Sequence, residues 1–446
     1  MDLSVDPGLT AFNIVQRLTA HGHKAFFAGG SVRDEIMGCK PQDIDIATSA
    51  LPGDVEKLFK KTIPVGRKFG VVLVVENGRT YEVATFRSEG NYEDGRHPKD
   101  VAFTHVTEDA RRRDFTINGL YYEPVTHKVL DYVDGVPDIK TKTVRAIGDA
   151  ATRFNEDKLR LLRAVRFAAN LNFTIESVTW DALKERSREI LQVSAERIRD
   201  ELIKIFTRKG AARGFQLLSD SGLMKEILPE IEAMKGVEQP SDYHPEGDVF
   251  VHTKLLLQKM EELPQTNLVL AFGALFHDIA KPVTAAVRKG RITFYEHAPI
   301  GAKMTEAIMK RLRFSNDEVR AVVEAVGNHM KFGDVKKMRA GKLKRFVARD
   351  NFQNEMILHK IDCQASHGNL ENYQFLKNKI DEYEDENLRP EPFIDGHDAL
   401  KLGITPGPAI KRILEKMYDL QLEGQFHGRD EALNYLKSKL AEFLDS

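Results

Sequence analysis

Three groups of residues in this 446-residue chain have types and spacings that can do chemistry. The first is Asp43-Ile44-Asp45, a carboxylate on either side of an apolar residue. On a strand, period-two alternation puts both carboxylates on one face and Ile44 on the other. Two carboxylates side by side repel unless a cation lies between them. A hard ion such as magnesium takes oxygen ligands and keeps room for substrate phosphates. The second group is Glu156-Asp157, Arg160, Arg163 and Arg166. Recurring every third residue, Asp157, Arg160 and Arg163 project from roughly one face of a helix. An intrahelical salt-bridge row is the ordinary reading and stabilises by only about 0.2–0.5 kcal/mol per pair. The same pair of groups also matches the Watson–Crick edge of a base, since Asp accepts from an exocyclic amine and Arg donates to ring acceptors. Cytosine and adenine carry an amine beside a ring nitrogen where uracil and guanine carry a carbonyl, so an Asp–Arg pair selects C and A. The third group is His252, the dipeptide His277-Asp278, and Asp362, with His297 and His329 between them. Imidazole and carboxylate together make a nitrogen–oxygen site suited to nickel, manganese, cobalt or zinc rather than magnesium.

Each group needs elements to position it. Ala25 to Ala28 reads as a short buried strand, Gly29-Gly30 as a tight turn, and Ser31 as the cap of a helix starting at Val32 and Arg33. Backbone N–H groups at such a helix start suit phosphate. Residues 7 to 22 predict an amphipathic packing helix with Leu9, Phe12, Ile14, Val15 and Leu18 clustered. Val71 to Glu76 and Arg79 to Arg87 read as strands around Asn77-Gly78, a strong hairpin-turn signal. Arg111-Arg112-Arg113-Asp114 lies where Arg112, Arg113 or both can grip phosphate oxygens, together with Gly30 and Arg33. Residues 153 to 172 predict one helix. Ser194 to Leu202 predicts a capped helix with an internal Glu–Arg network. Leu268 to Phe276 is an apolar helix that delivers His277-Asp278 at its end. Lys336, Lys337, Arg339, Lys342, Lys344 and Arg345 form a candidate RNA patch, and His397-Asp398 reads as a capping pair in the tail.

Gly29-Gly30-Ser31-Val32-Arg33-Asp34 followed by Asp43-Ile44-Asp45 resembles the head of the class II tRNA nucleotidyltransferase and bacterial poly(A) polymerase family, which shares its catalytic head with DNA polymerase beta. Arg112-Arg113-Asp114-Phe115-Thr116, Glu156-Asp157 with Arg160, and Glu196-Arg197 with Glu201-Leu202 resemble further motifs of that family. The resemblance implies a catalytic set of Asp43, Asp45 and Glu82 with magnesium, and nucleotide contacts from Gly29, Gly30, Arg33, Arg112, Arg113, Asp157, Arg160, Arg163 and Arg166. It implies that residues 88 to 100, with Tyr92, Asp94, Gly95, Arg96 and Pro98, are the flexible loop needed to add the terminal adenosine. The third group resembles the HD phosphohydrolases. That resemblance implies a metal set of His252, His277, Asp278 and Asp362, with His297 and His329 as further ligands or phosphate contacts, and activity on phosphate esters or 2′,3′-cyclic nucleotides.

The totals agree with a multidomain enzyme. A composition of 42% hydrophobic and 30% charged residues excludes disorder as the main state. Net charge is −1, so nucleic acid must be attracted by local patches. Only Cys39 and Cys363 occur, which excludes a disulfide framework and makes a reducing cytoplasm the simplest setting. No apolar run has membrane-spanning length. The expected fold is α+β: a nucleotidyltransferase head over residues 1–148 with a mixed sheet, a helical neck over 149–243, a helical HD domain over 244–367 and a helical tail over 368–446. The expected reaction is template-independent addition of CCA to the 3′ end of tRNA from CTP and ATP, with a second hydrolytic activity. A-adding or poly(A) synthesis is the alternative within the class. An HD phosphohydrolase with an RNA-binding head is the alternative outside it.

Overall fold

The computed structural model describes residues 3–41, 43–89, 101–240, 245, 247–384 and 386–444. The expected flexible-loop residues Tyr92, Asp94, Gly95, Arg96 and Pro98 lie outside the described residues. The chain divides into two compact units, Met1–Glu232 and Ala233–Ser446.

The first unit begins with helix α1 (Gly8–Ala20), which buries Ile14, Val15 and Leu18. Leu9 stays 39% exposed rather than joining that cluster. Strand β1 (Ala25–Ala28) is buried throughout, as four consecutive small or aromatic apolar residues dictate. Helix α2 (Gly30–Ile36) follows one residue earlier than its expected cap. Gly29 is the N-cap, and Ser31 lies inside the first turn with its hydroxyl donating to the Ala28 carbonyl at 3.1 Å. Gly29 has φ 72°, and a Cβ there would stand 3.0 Å from the Arg113 guanidinium, so glycine alone fits both the turn and its neighbour.

Strand β2 (Asp45–Thr48) starts at the second carboxylate, so Asp43 precedes the strand rather than lying in it. The alternation survives: Asp43 and Asp45 are exposed and Ile44 between them is buried. Helix α3 (Pro52–Leu58) leads to β3 (Thr62–Gly66), β4 (Val71–Glu76) and β5 (Arg79–Thr85). Asn77 and Gly78 have φ values of 49° and 73°, the two positive angles a tight hairpin requires. The second strand ends at Thr85, two residues short of expectation, and β6 (Arg87–Glu89) pairs instead with β7 (Val101–Phe103). After α4 (Val106–Arg111) come β8 (Leu120–Glu123), β9 (Lys128–Asp131) and α5 (Gly135–Lys140). The seven-stranded sheet runs β3-β4-β5-β2-β1-β8-β9, with β2 and β5 parallel and every other pair antiparallel. Phe27 and Tyr121 at its centre are fully buried, each worth roughly 1.5–3 kcal/mol of transfer free energy.

The neck departs from a single helix. Helix α6 (Ala150–Glu156) is capped by Asp149, which accepts from the Thr152 amide at 2.8 Å. Helix α7 (Leu159–Leu171) begins afresh, and Asp157 sits in the junction with extended backbone. Asp157 therefore shares no helix face with Arg160. Helix α8 (Ser177–Glu185) packs against α6, and α9 (Ala195–Phe206) packs against α7.

The second unit is mainly helical. Val249–Glu261, Leu268–Phe276, His297–Arg311, Asn316–Asn328 and Phe352–Ala365 carry the histidines and carboxylates of the third group or their flanks. The tail has its own apolar cluster, including Ile394, Ile413, Met417, Phe426 and Leu436. There Asp395 and Asp398 form a capping box at the start of the helix Gly396–Lys401, so of the expected pair Asp398 serves as a cap, with Asp395 rather than His397 as its partner. No helix among the described residues is long and apolar enough to cross a membrane.

Candidate active site

The end of β1, the start of α2 and one side of α7 enclose a cleft of about 630 Å³. Gly29, Gly30, Arg33, Asp45, Arg112, Arg113, Asp157, Arg160, Arg163 and Arg166 all line it. Its wall holds Arg33, Arg87, Arg112, Arg113, Arg160, Arg163, Arg166 and Arg197 against Asp45, Asp114 and Asp157, an excess of cations on the wall itself that Asp34, Asp109, Glu156 and Glu201, paired with Arg33, Arg112, Arg113, Arg160 and Arg166, reduce without cancelling. That excess is a local field for a polyanion.

Asp45 faces this field from the start of β2. The parallel register Ile46↔Val83 puts Glu82 of β5 beside it. Although Asp45 keeps exposed surface, the protein atoms crowded around it desolvate and raise its carboxyl, Glu82 and Asp43 raise it further, and Arg113 opposes them, leaving it at about 6. Glu82 and Asp43 stand near enough to disfavour ionisation of Asp45, but among the described residues these three carboxylates do not form a group with ligand atoms within 4.8 Å of one another. Asp43 and Glu82 are absent from the cleft wall but act on Asp45 from beside it.

The arginines are tied down by a network that joins head to neck. Arg33 donates to Asp34 at 2.9 and 2.6 Å and to the Asn118 side-chain oxygen at 2.7 Å. Asn118 in turn donates to Asp114 at 3.2 Å. Asp114 receives Arg163 of α7 at 2.7 Å. Burial would raise the Asp114 carboxyl, but Arg163 and Arg160 hold it at about 2. Arg112 and Arg113 share the buried Asp109, at 2.7 and 3.3 Å, and Tyr121 donates to the same carboxylate at 2.6 Å.

Asp157 and Arg160 do not pair with each other. Asp157 receives both guanidinium nitrogens of Arg197, at 3.1 and 2.8 Å. Arg160 is held by Glu156 at 2.6 Å and donates to the carbonyls of Arg153 and Arg112, each at 3.0 Å. Each base-edge candidate is thus oriented by a partner of its own. The network expected within α9 is likewise replaced by longer reaches. Ser194 makes no side-chain cap bond, Arg197 goes to Asp157, and Glu201 binds Arg166 of α7 at 2.6 Å. Asp114 and Arg197 lie within the motifs and Asn118 just beyond one, but nothing local in the sequence says which distant group each will meet.

In the second unit, His252, His277 and Asp278 form one group of ligand atoms within 4.8 Å of one another, and Asp278, His297 and His329 form another. Asp278 belongs to both. Its Oδ2 stands 3.1 Å from His277 Nε2, and its Oδ1 stands 3.4 Å from His297 Nε2. Asp362 reaches His252 Nε2 at 3.1 Å. His277, His297 and His329 each place Nδ1 on a backbone carbonyl, of Ala274, Phe294 and Val326, at 3.0, 2.8 and 2.7 Å. An Nδ1–H so engaged leaves the Nε2 lone pair free for a metal. Burial lowers His297, and burial with the neighbouring His277 lowers His329 to about 3, so both imidazoles are neutral. Burial opposes ionisation of Asp278, but His277 and Lys281 hold it well below the usual carboxylate range. Neutral His297 and His329 beside an ionised Asp278 match the protonation states that metal ligation demands of those three groups.

The expected RNA patch is largely neutralised. Lys336 holds Glu371 and Lys337 holds Asp334, both at 2.8 Å, Lys344 pairs with Glu386, and Arg345 holds Asp419 at 2.7 Å.

Three family models match the chain: a poly A polymerase head domain over residues 25–145, a probable RNA and SrmB-binding site of polymerase A over 172–235, and an HD domain over 249–364. With the mixed sheet and its arginine-lined cleft, these matches define a nucleotidyltransferase with an appended HD domain. A CCA-adding enzyme of Lactobacillus gasseri is 33% identical over 428 residues, covering 95% of each chain. The chain belongs to the CCA-adding enzyme family. A second such enzyme, from Bacillus pumilus, is 41% identical over 228 residues, 51% of this chain and 56% of that one. Solved structures share the fold. The Bacillus stearothermophilus CCA-adding enzyme in complex with CTP superposes with TM-score 0.74 at 24% identity, over 98% of both chains. The Thermotoga maritima CCA-adding enzyme complexed with tRNA-CCA gives 0.57 at 19% identity, over 98% of this chain and 96% of that one.

Proposed function

We propose that this chain adds cytidine, cytidine and adenosine to the 3′ end of tRNA from CTP and ATP, in the cytoplasm, and that its HD domain hydrolyses phosphate esters or 2′,3′-cyclic nucleotides. The observation that carries the first activity is the cleft wall, where Asp45 faces an excess of arginines within reach of Asp157 and Arg160. Arg33, Arg112 and Arg113 neutralise the triphosphate as it enters. Asp157, oriented by Arg197, accepts from the exocyclic amine of C or A, while Arg160 donates to the ring acceptor. Asp43 and Asp45, with Glu82 beside them, would hold magnesium, which when bound activates the RNA 3′-hydroxyl and stabilises the leaving pyrophosphate. The head, residues 1–148, supplies the carboxylates, and the neck, 149–243, the base-reading groups.

Residues 244–367 carry the second activity, and the tail, 368–446, packs as helices. His252, His277, Asp278 and Asp362, with His297 and His329, would hold a transition metal such as nickel or manganese, which when bound lowers the pKa of water and polarises a phosphoryl group. The buried carboxylate of Asp278 orients both halves of that ligand set.

The deciding experiment supplies CTP and ATP, separately and together, to tRNA ending at the discriminator base and to tRNA ending in CC. CCA on the first substrate supports the reading. A single A on the CC-ended tRNA only makes the chain an A-adding enzyme, and long A tails on unrelated RNA make it a poly(A) polymerase.

A further inference from the structure

Phe167 of α7 lies at the centre of the cleft's cations. Its ring centroid is 4.1 Å from the Arg166 guanidinium, 5.3 Å from that of Arg163 and 5.4 Å from that of Arg33. Two of these arginines come from α7 and the third from α2, so one ring touches the cations of both neck and head. The ring is itself braced. It meets Phe115 edge-on, at 5.8 Å between centroids and 77° between planes. Phe115 is fully buried and Phe167 only 7% exposed.

Three guanidinium groups gathered around one point repel, and burial together with Arg163 already lowers the Arg166 pKa against the pull of Glu201. A carboxylate at position 167 would relieve the repulsion but cancel one of the charges that a triphosphate needs. Each of the three has a carboxylate partner, Asp34, Asp114 and Glu201, on its own side, and the aromatic face between them attracts all three through its quadrupole while adding no further negative charge.

We propose that Phe167 is a positioning residue of the triphosphate site, its ring gathering Arg33, Arg163 and Arg166 into one phosphate-binding set. The proposal rests on reading the cleft as the nucleotide site. It places the effect on the phosphates, which CTP and ATP share, and not on the base.

The test uses the full-length protein as wild type, Phe167→Leu and Phe167→Tyr. Binding of inorganic tripolyphosphate is measured by calorimetry without divalent metal, and KM and kcat are measured for CTP and for ATP. Phe167→Leu should weaken tripolyphosphate binding and raise both KM values by one common factor of about five to ten, with kcat changed less than about twofold. Phe167→Tyr, which keeps the aromatic face, should behave as wild type. Wild-type tripolyphosphate binding by Phe167→Leu, a KM change for one nucleotide only, or failure of Phe167→Tyr to restore both values would overturn the proposal. Should Phe167→Leu melt well below wild type, Phe167→Met takes its place under the same criteria. If wild type itself binds no tripolyphosphate, the reading of the cleft as the triphosphate site fails before any variant is compared.

Discussion

Arg163 on α7 donates to Asp114 of the head at 2.7 Å across 49 residues of chain, and its second nitrogen lies 2.5 Å from the same oxygen. This pair, with Asp114 buried and Arg163 half-buried, joins the segment that carries Arg112 and Arg113 to the helix that carries Arg160. It makes the position of the base-reading groups depend on the phosphate-binding ones.

The pair has a pH signature. The Asp114 carboxyl falls from its ordinary 3.8 to about 2 in the folded protein. Over that interval the unfolded chain binds more protons, so the stabilisation is complete above about pH 4 and disappears as pH falls through about 2. The shift corresponds to about 2 kcal/mol. Asp114→Asn should therefore destabilise the first unit by about that amount at pH 7 and by much less at pH 2, as read by urea unfolding at both pH values. An equal loss at both would mean that the carboxylate charge contributes nothing.

Asp45 should show the opposite trade. Its carboxyl is raised to about 6, so its ionised form at neutral pH works against the fold. Asp45→Asn should melt no lower than wild type in chelator at pH 7, and higher if the Glu82 and Asp43 repulsion dominates. Nucleotide incorporation should fall by about a thousandfold or more. Magnesium should raise the melting temperature of wild type and not of the variant. A variant that still incorporated CMP at the wild-type rate would remove Asp45 from the catalytic set.

Base choice should depend on Asp157 and on the residue that orients it. Asp157→Asn replaces one acceptor by a donor. It should erode the preference for CTP over UTP by about tenfold or more, since a good two-point base contact is worth about 1–3 kcal/mol of discrimination. Arg197→Met, which releases both carboxylate oxygens of Asp157, should shift the same ratio in the same direction and less far. Competition between labelled CTP and UTP on a tRNA ending at the discriminator base reads the effect, and an unchanged ratio in Asp157→Asn would assign base reading elsewhere.

Hydrolysis should separate cleanly from nucleotide addition. Asp278 serves both halves of the buried histidine cluster. Asp278→Asn should cut hydrolysis of 2′,3′-cyclic AMP by about a hundredfold or more and lower bound transition metal, measured by elemental analysis. CCA addition should stay within about twofold of wild type, given a ligand set separate from the head's. Dialysis against a strong chelator should abolish hydrolysis, and nickel or manganese should restore it. Persistence of hydrolysis in the variant would show that it arises outside this cluster.

Much of the chemistry was legible in local sequence. Asp43 and Asp45 keep their exposed–buried–exposed alternation, because side-chain direction along an extended segment has period two whatever surrounds it. Asn77-Gly78 makes its hairpin because only such residues accept two positive φ angles cheaply. His277-Asp278 ends its apolar helix as the hydrophobic run requires. What the sequence left open was partnership. A helix read from 153 to 172 put Asp157 and Arg160 on one face. The chain instead breaks at Asp157, giving that carboxylate to Arg197, 40 residues away, and Arg160 to Glu156 and the Arg112 carbonyl. Six close-set cations read as an RNA patch, yet packing brings Glu371, Glu386 and Asp419 to three of them. The division of His252, His277, His297 and His329 into two groups sharing Asp278 is likewise a tertiary fact. Periodicity, caps and turns are short-range steric properties of the chain, so sequence alone determines them. Which charge meets which depends on approaches of about 3 Å between segments far apart in sequence, and only packing decides those.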